Sequence, residues 1–117
     1  MSITVYGIAN CSTMKKAFAW LHEHGVAYVF HDYQKAGVPE TALRHWAAER
    51  GWEALINRRG TTWRRLSEAQ RAVADLDAAV ALVLANPSLI RRPIVQRDDD
   101  LLLGFDPEEW AARLQGR

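Results

Sequence analysis

The hydrophobic period of the chain changes twice between residues 3 and 33, and that opening leaves few architectures available. Ile3 to Tyr6 is a β-branched and aromatic run closed by Gly7, the pattern of a short buried strand. From Ser12 the apolar residues Met14, Ala17, Phe18 and Leu21 recur at helical spacing, opposite Lys15, Lys16 and Glu23. Gly25 stands where a helix takes a left-handed C-terminal residue, and Ala27 to Tyr33 is strand-like again. Strand, helix, strand in this order requires parallel strands joined by a right-handed crossover.

The middle of the chain reads as helical. Pro39 suits the first turn of a helix whose stripe is Leu43, Trp46 and Ala47, ending at Gly51. Residues 52–66 are irregular, with Arg58-Arg59-Gly60-Thr61-Thr62 as a loop. Leu76, Ala79, Val80, Val83 and Leu84 mark another helix, stopped by Asn86-Pro87. Strands return in Pro93-Ile94-Val95 and Leu101-Leu102-Leu103, which flank an acidic turn as a hairpin. Asp106-Pro107-Glu108-Glu109 then opens a final helix, with Asp106 as N-cap, Pro107 at the first position and Glu109 completing a capping box. The expected order is β-α-β, a helical insertion, then β-β-α.

A chain of 117 residues, 49% hydrophobic and 25% charged, is large enough for one domain with an unstapled core. Its single cysteine cannot form an internal disulfide, which points to a reducing compartment and a cytoplasmic location. No apolar run approaches membrane-span length, and the N-terminus lacks the pattern of a signal peptide. The net charge of +1 hides an uneven distribution. Residues 57–97 hold eight arginines (58, 59, 64, 65, 71, 91, 92 and 97) against three acids, followed by the acidic run Asp98 to Asp100. Such a patch is either a solvated face or a site for an oxyanion, for glutathione carboxylates, or for an acidic partner.

Position gives the lone cysteine its importance. Cys11 lies in Gly7-Ile8-Ala9-Asn10-Cys11-Ser12-Thr13, between the end of a strand and the start of a helix, where ligands collect in α/β sheets. Unpaired amides and partial positive charge at a helix N-terminus favour thiolate, and cysteines so placed have pKa values of about 3.5 to 7.5. Lys15, four residues on, shares that helical face. The segment reads Cys-Ser-Thr-Met rather than Cys-x-x-Cys, so any disulfide formed by Cys11 is with another molecule.

Four ordered segments carry a resemblance across essentially the whole chain. They are Tyr6-Gly7-Ile8-x-x-Cys11-x-Thr13-x-Lys15-Lys16-Ala17, Asn57-x-Arg59-Gly60-Thr61-Thr62-Trp63-Arg64, Arg92-Pro93-Ile94-Val95 and Gly104-Phe105-x-Pro107-Glu108-Glu109-Trp110. Together they resemble the ArsC/Spx family, and within it the small YffB-like branch. The resemblance implies an α/β thioredoxin/glutaredoxin-like fold with a four-stranded mixed sheet. It implies one ArsC-like domain over 1–117, its core at 1–37 and 88–117 and a helical insertion at 38–87. Cys11 and Arg92 are the implied catalytic pair. Pro93 matches a proline that is typically cis and faces the cysteine. Asn10, Ser12, Lys15, Arg59 and Pro93 are the implied substrate- or glutathione-binding residues. Asn57 stands at the position best matching a substrate-contacting arginine of arsenate reductases.

The implied activity is that of a glutathione-dependent thiol oxidoreductase using one nucleophilic cysteine, with no bound cofactor and glutathione as co-substrate. Two alternatives stand beside it: a non-enzymatic Spx-type regulator or adaptor binding RNA polymerase or another protein, and a glutaredoxin-coupled arsenate reductase. The third arginine that arsenate reductases carry after the hairpin is missing, since this stretch reads Leu102-Leu103-Gly104-Phe105. A trianionic oxyanion would be less fully compensated by two arginines, which argues against arsenate. Of the histidines 22, 24, 31 and 45 only His22-x-His24 has ligand-like spacing, and its members point to different sides of a helix, so no metal is expected. The five tryptophans are better explained by packing than by nucleic-acid stacking. Neither direct nucleic-acid binding nor a membrane partner is expected.

Overall fold

The computed structural model describes residues 2–114. It contains strands β1 (Ile3–Gly7), β2 (Val29–Asp32), β3 (Ile94–Arg97) and β4 (Asp100–Leu103). The helices are α1 (Ser12–Glu23), α2 (Tyr33–Ala36), α3 (Glu40–Arg50), α4 (Trp52–Leu55), α5 (Thr61–Arg65), α6 (Glu68–Arg71), α7 (Leu76–Ala85) and α8 (Pro107–Leu114), with a 3₁₀ turn at Pro87–Leu89. The four strands form one mixed sheet in the order β2-β1-β3-β4, as the β-α-β and β-β-α readings require. β1 pairs parallel with β2 and antiparallel with β3, which pairs antiparallel with β4. The second strand is shorter than the expected 27–33.

The chain divides into two compact units, one from its start to Tyr33 and from Arg92 to its end, the other Gln34–Arg91. The family resemblance implied these limits at 37/38 and 87/88. The helical unit extends to Arg91 because Ile56 and Ile90 form an antiparallel bridge, flanked by Asn57 N–H to Leu89 C=O at 2.7 Å and Arg91 N–H to Leu55 C=O at 2.8 Å.

In the first unit, alternation along the strands puts Ile3, Val5, Val95 and Leu102 on one sheet face, packed with Met14, Ala17, Trp20 and Leu21 of α1 and Trp110 and Leu114 of α8. Trp20 and Trp110 meet edge to face at 5.6 Å, the arrangement ring quadrupoles favour. Trp110 Nε1 donates to the Gly104 carbonyl at 3.2 Å, so its burial leaves no polar cost. The first helix ends as its sequence requires. Gly25 has φ +64°, its amide donates to His22 C=O at 3.3 Å, and the Val26 amide donates to Leu21 C=O at 3.0 Å. That pair of bonds is a Schellman termination. At α8, Asp106 Oδ1 accepts from the amides of Glu108 (3.0 Å) and Glu109 (3.3 Å), which is the half of the expected capping box that the structure shows.

In the second unit the stripe expected for α3 is buried as Leu43, Trp46 and Ala47, and α7 buries Ala79, Val80 and Val83. Asp75 caps α7 through a 2.8 Å bond from the Ala78 amide, and Arg44 of α3 reaches Asp77 of α7 at 2.9 Å. The loop expected at 58–62 is shorter, because Thr61 already begins α5. Trp46 and Trp110 are fully buried and Trp20 nearly so, which makes them core residues rather than stacking platforms. Among the described residues no helix is long and apolar enough to cross a membrane.

Among the described residues of the first unit, one charged side chain is buried. Arg97, 8% exposed, sits on the α8 face opposite Ile3, with its Nε unpartnered and its terminal nitrogen 4.0 Å from Asp100. Asp100 also pairs with Arg113 of α8 at 3.1 Å. A buried guanidinium with one long ion pair contributes little, whereas removing its partner leaves charge uncompensated. Arg97→Met is expected to leave unfolding free energy within about 1 kcal/mol of the parent or to raise it. Asp100→Ala, at a partly exposed carboxylate, is expected to lower it by about 1 kcal/mol. Urea unfolding of both variants checks this, and equal losses would contradict it.

Candidate active site

The site begins with a close approach between β1 and α1. A Cβ on Gly7 would lie 2.6 Å from Met14 Sδ and 2.7 Å from its methyl carbon, so glycine is what lets Met14 settle against the strand end. Met14 is fully buried. This contact places the first turn of α1 just beyond the strand, with Cys11 as its N-cap in extended geometry, φ −147° and ψ 133°.

Cys11 is partly exposed, as a reacting thiol must be. Its sulfur makes no short capping bond of the kind a serine oxygen would, yet the amides behind it act on the thiolate. Burial pushes the thiol pKa up. The Met14 amide, the Arg92 guanidinium and the Thr13 amide, with the Arg92 charge added, more than offset that and hold it below its ordinary value. Arg92 precedes Pro93 through a cis peptide bond, and Pro93 is buried immediately before β3. Cys11, Arg92 and Pro93 thus come together in one unit.

The other expected residues are less uniform in placement. Asn10 and Ser12 are exposed on either side of Cys11. Lys15 is exposed, and its amide donates to the Cys11 carbonyl at 3.0 Å, closing the first helical turn. Arg59 belongs to the other unit, where its amide donates to Asn57 Oδ1 at 3.0 Å and its carbonyl accepts from Arg64 at 3.1 Å. Among the described residues no group of three or more His, Cys, Asp or Glu could hold a metal ion.

Sequence reasoning missed two tyrosines. Tyr6 and His31 are register partners, with ring centroids 5.2 Å apart on the sheet face opposite Val5. Tyr33 lies 6.4 Å from Tyr6 in a stacked arrangement. Tyr33 is 1% exposed and its hydroxyl has no hydrogen-bond partner. Burial pushes its phenol far above the ordinary value, the Tyr6 phenol adds to this, and the Arg92 charge pulls the other way. The thiolate and guanidinium therefore share their unit with a neutral, buried phenol. The alternating pattern of Ala27 to Tyr33 held the only signal for it.

The ArsC family model matches residues 6–113. The chain belongs to the ArsC family. It is 50% identical to the solved YFFB protein, covering 97% of this chain and 99% of that one with a TM-score of 0.92. An uncharacterized protein from Haemophilus influenzae is 42% identical, covering 94% of this chain and 96% of that protein. The global transcriptional regulator Spx 1 of Lactococcus lactis is 31% identical, covering 96% and 88%. A glutaredoxin from Archaeoglobus fulgidus, at 15% identity and a TM-score of 0.52, covers 98% and 87% and shares the fold alone. The architecture is thioredoxin/glutaredoxin-like, with the arsenate reductase-like plan of its family.

Three measurements check the site. The rate of Cys11 alkylation by iodoacetamide is expected to inflect below the ordinary thiol pKa of 9.0, and Arg92→Ala to move the inflection upward. A lowered pKa in the folded state adds stability that is fully present above 9.0 and is lost as pH falls through the lowered value. Cys11→Ala should remove that pH dependence. Tyr33→Phe deletes a buried hydroxyl without a partner, so it is expected to raise stability by about 1 kcal/mol and Tm by about 4 °C. A lower Tm in calorimetry would show that the hydroxyl is satisfied.

Proposed function

We propose that this ArsC-family protein is a monothiol, glutathione-dependent oxidoreductase. The observation that carries the reading is a partly exposed cysteine whose thiolate is stabilised by two amides and Arg92, in a chain with no second cysteine to resolve a disulfide. In the first step the Cys11 thiolate attacks the glutathione sulfur of a mixed disulfide. A Cys11–glutathione disulfide forms and the acceptor leaves as its thiolate, which takes up a proton. In the second step the thiolate of another glutathione attacks that disulfide, releasing oxidised glutathione and regenerating Cys11. In sum, one mixed disulfide and one glutathione thiol become the acceptor thiol and oxidised glutathione, and the enzyme is unchanged. A lowered pKa raises the fraction of Cys11 present as thiolate for the first step and makes it a better leaving group in the second.

In this reading Arg92 stabilises the negative sulfur at both steps. Pro93, Asn10, Ser12 and Lys15, all in the same unit as the sulfur, are assigned to positioning glutathione. Lack of a basic residue at Gly104 argues against arsenate as the principal substrate.

Incubation with oxidised glutathione is expected to add one glutathionyl group, seen by intact mass spectrometry and absent in Cys11→Ala. Reduced glutathione should remove it, and turnover of a small mixed disulfide should follow. If iodoacetamide alkylates Cys11 while oxidised glutathione leaves the mass unchanged, the glutathione reading is wrong. The likeness to a transcriptional regulator supports a second reading, docking on RNA polymerase. That reading expects polymerase capture to survive Cys11→Ala.

A further inference from the structure

The second unit contains a concave site that Cys11 chemistry does not use. Its pocket, about 420 Å³, is lined by Arg58, Arg59, Arg91, Glu53, Asn57 and Ile56 among others. The frame is fixed by backbone. The Ile56–Ile90 bridge and its two flanking hydrogen bonds hold the 57–59 turn against Arg91. Asn57 Oδ1 secures the Arg59 amide at 3.0 Å, and Arg64 secures the Arg59 carbonyl at 3.1 Å. Gly60 passes close beneath, where a Cβ would stand 3.0 Å from Asn57 Nδ2. The Arg58 guanidinium carbon lies 5.6 Å from the Trp63 ring centre, a cation–π position that limits its freedom.

Charge is what makes this frame informative. Other arginines are engaged: Arg44 with Glu40 and Asp77, Arg113 with Asp100, and Arg64 and Arg71 with backbone carbonyls. Among the described residues none of the Arg58, Arg59 and Arg91 side chains has a carboxylate partner. Three like charges converging on one concavity repel each other, and with Glu53 in the lining the formal balance is two positive charges. Guanidinium forks match carboxylate and phosphoryl oxygens in pairs. The volume is more than a bare inorganic anion fills, and Ala54 and Ile56 supply an apolar wall.

We propose that the Arg58–Arg59–Arg91 pocket binds a small organic dianion, its oxygens held by the guanidinium groups and its short apolar body against Ala54 and Ile56. Dicarboxylates and phosphate monoesters share this chemistry. The site is independent of the reading given to Cys11.

The test titrates the full-length protein with glutarate and with glycerol 3-phosphate, following backbone amide and arginine Nε–H resonances by NMR, with sodium chloride at matched ionic strength as control. Expected are saturable shifts confined to residues 53–60 and 91, for one probe or both, and the tighter probe identifies the ligand class. Arg91→Gln and Arg58→Gln should each weaken binding about tenfold or more. Arg65→Gln, an exposed arginine outside the pocket, should change affinity less than twofold, and Glu53→Gln should tighten it. Unfolding curves without ligand establish that each variant is folded. Shifts that never saturate, that chloride reproduces, or that Arg65→Gln reduces as much as Arg91→Gln would overturn the proposal, because they describe a diffuse basic face.

Discussion

The contact of Met14 with the bare backbone of Gly7 is the constraint on which the rest of the active unit depends. It sets how closely α1 approaches β1, and so where the first free amides of the helix lie relative to the strand end. Those amides are half of what acts on Cys11, and the other half comes from Arg92. Both are possible because β1 is an interior strand, with the β-α-β crossover on one side and the returning β3 on the other. A bulkier residue at position 7 would act on the thiol without touching it, by shifting Met14 and its amide together.

The second unit follows different physics. It is built from short helices, four of them only four or five residues long once α2 is counted with its start at Tyr33. Elements this short gain little from helix cooperativity, so packing and side-chain caps must hold them. Ser67 and Gln70 form a reciprocal capping box at α6, and Arg71 donates to the carbonyls of Leu66 and Arg64. Arginines used in this way bind backbone, which separates them from those facing the pocket.

Much of the fold was legible in the sequence because it was written in local periods. The 3.6-residue stripe of α1, the stop at Gly25 and the Asp106-Pro107 start of α8 each need only neighbouring residues to specify them. Cys11, Arg92 and Pro93 were legible through ordered motifs and the junction rule. Tyr33 was not, because a strand-end tyrosine is as often exposed as buried, and nothing local says which. The Arg58, Arg59 and Arg91 grouping was equally hidden. Arg91 lies far along the chain from the adjacent Arg58 and Arg59 and is brought to them by the Ile56–Ile90 bridge, while the sequence showed a basic run without its shape. The unit boundaries depend on that same bridge, which no propensity reveals.

The two sources of support for the thiolate differ in how far the chain must travel to supply them. Thr13 and Met14 are adjacent to Cys11, so their amides are in place as soon as one turn of helix forms. Arg92 must return from position 92 to position 11, a separation of 81 residues, and loop closure over such a span is the slow, entropically costly part of assembling a fold. The cysteine's acidity is therefore assembled from a short-range increment and a long-range one. The second reports on whether β3 has docked beside β1, which makes the thiol's reactivity a gauge of how complete the fold is.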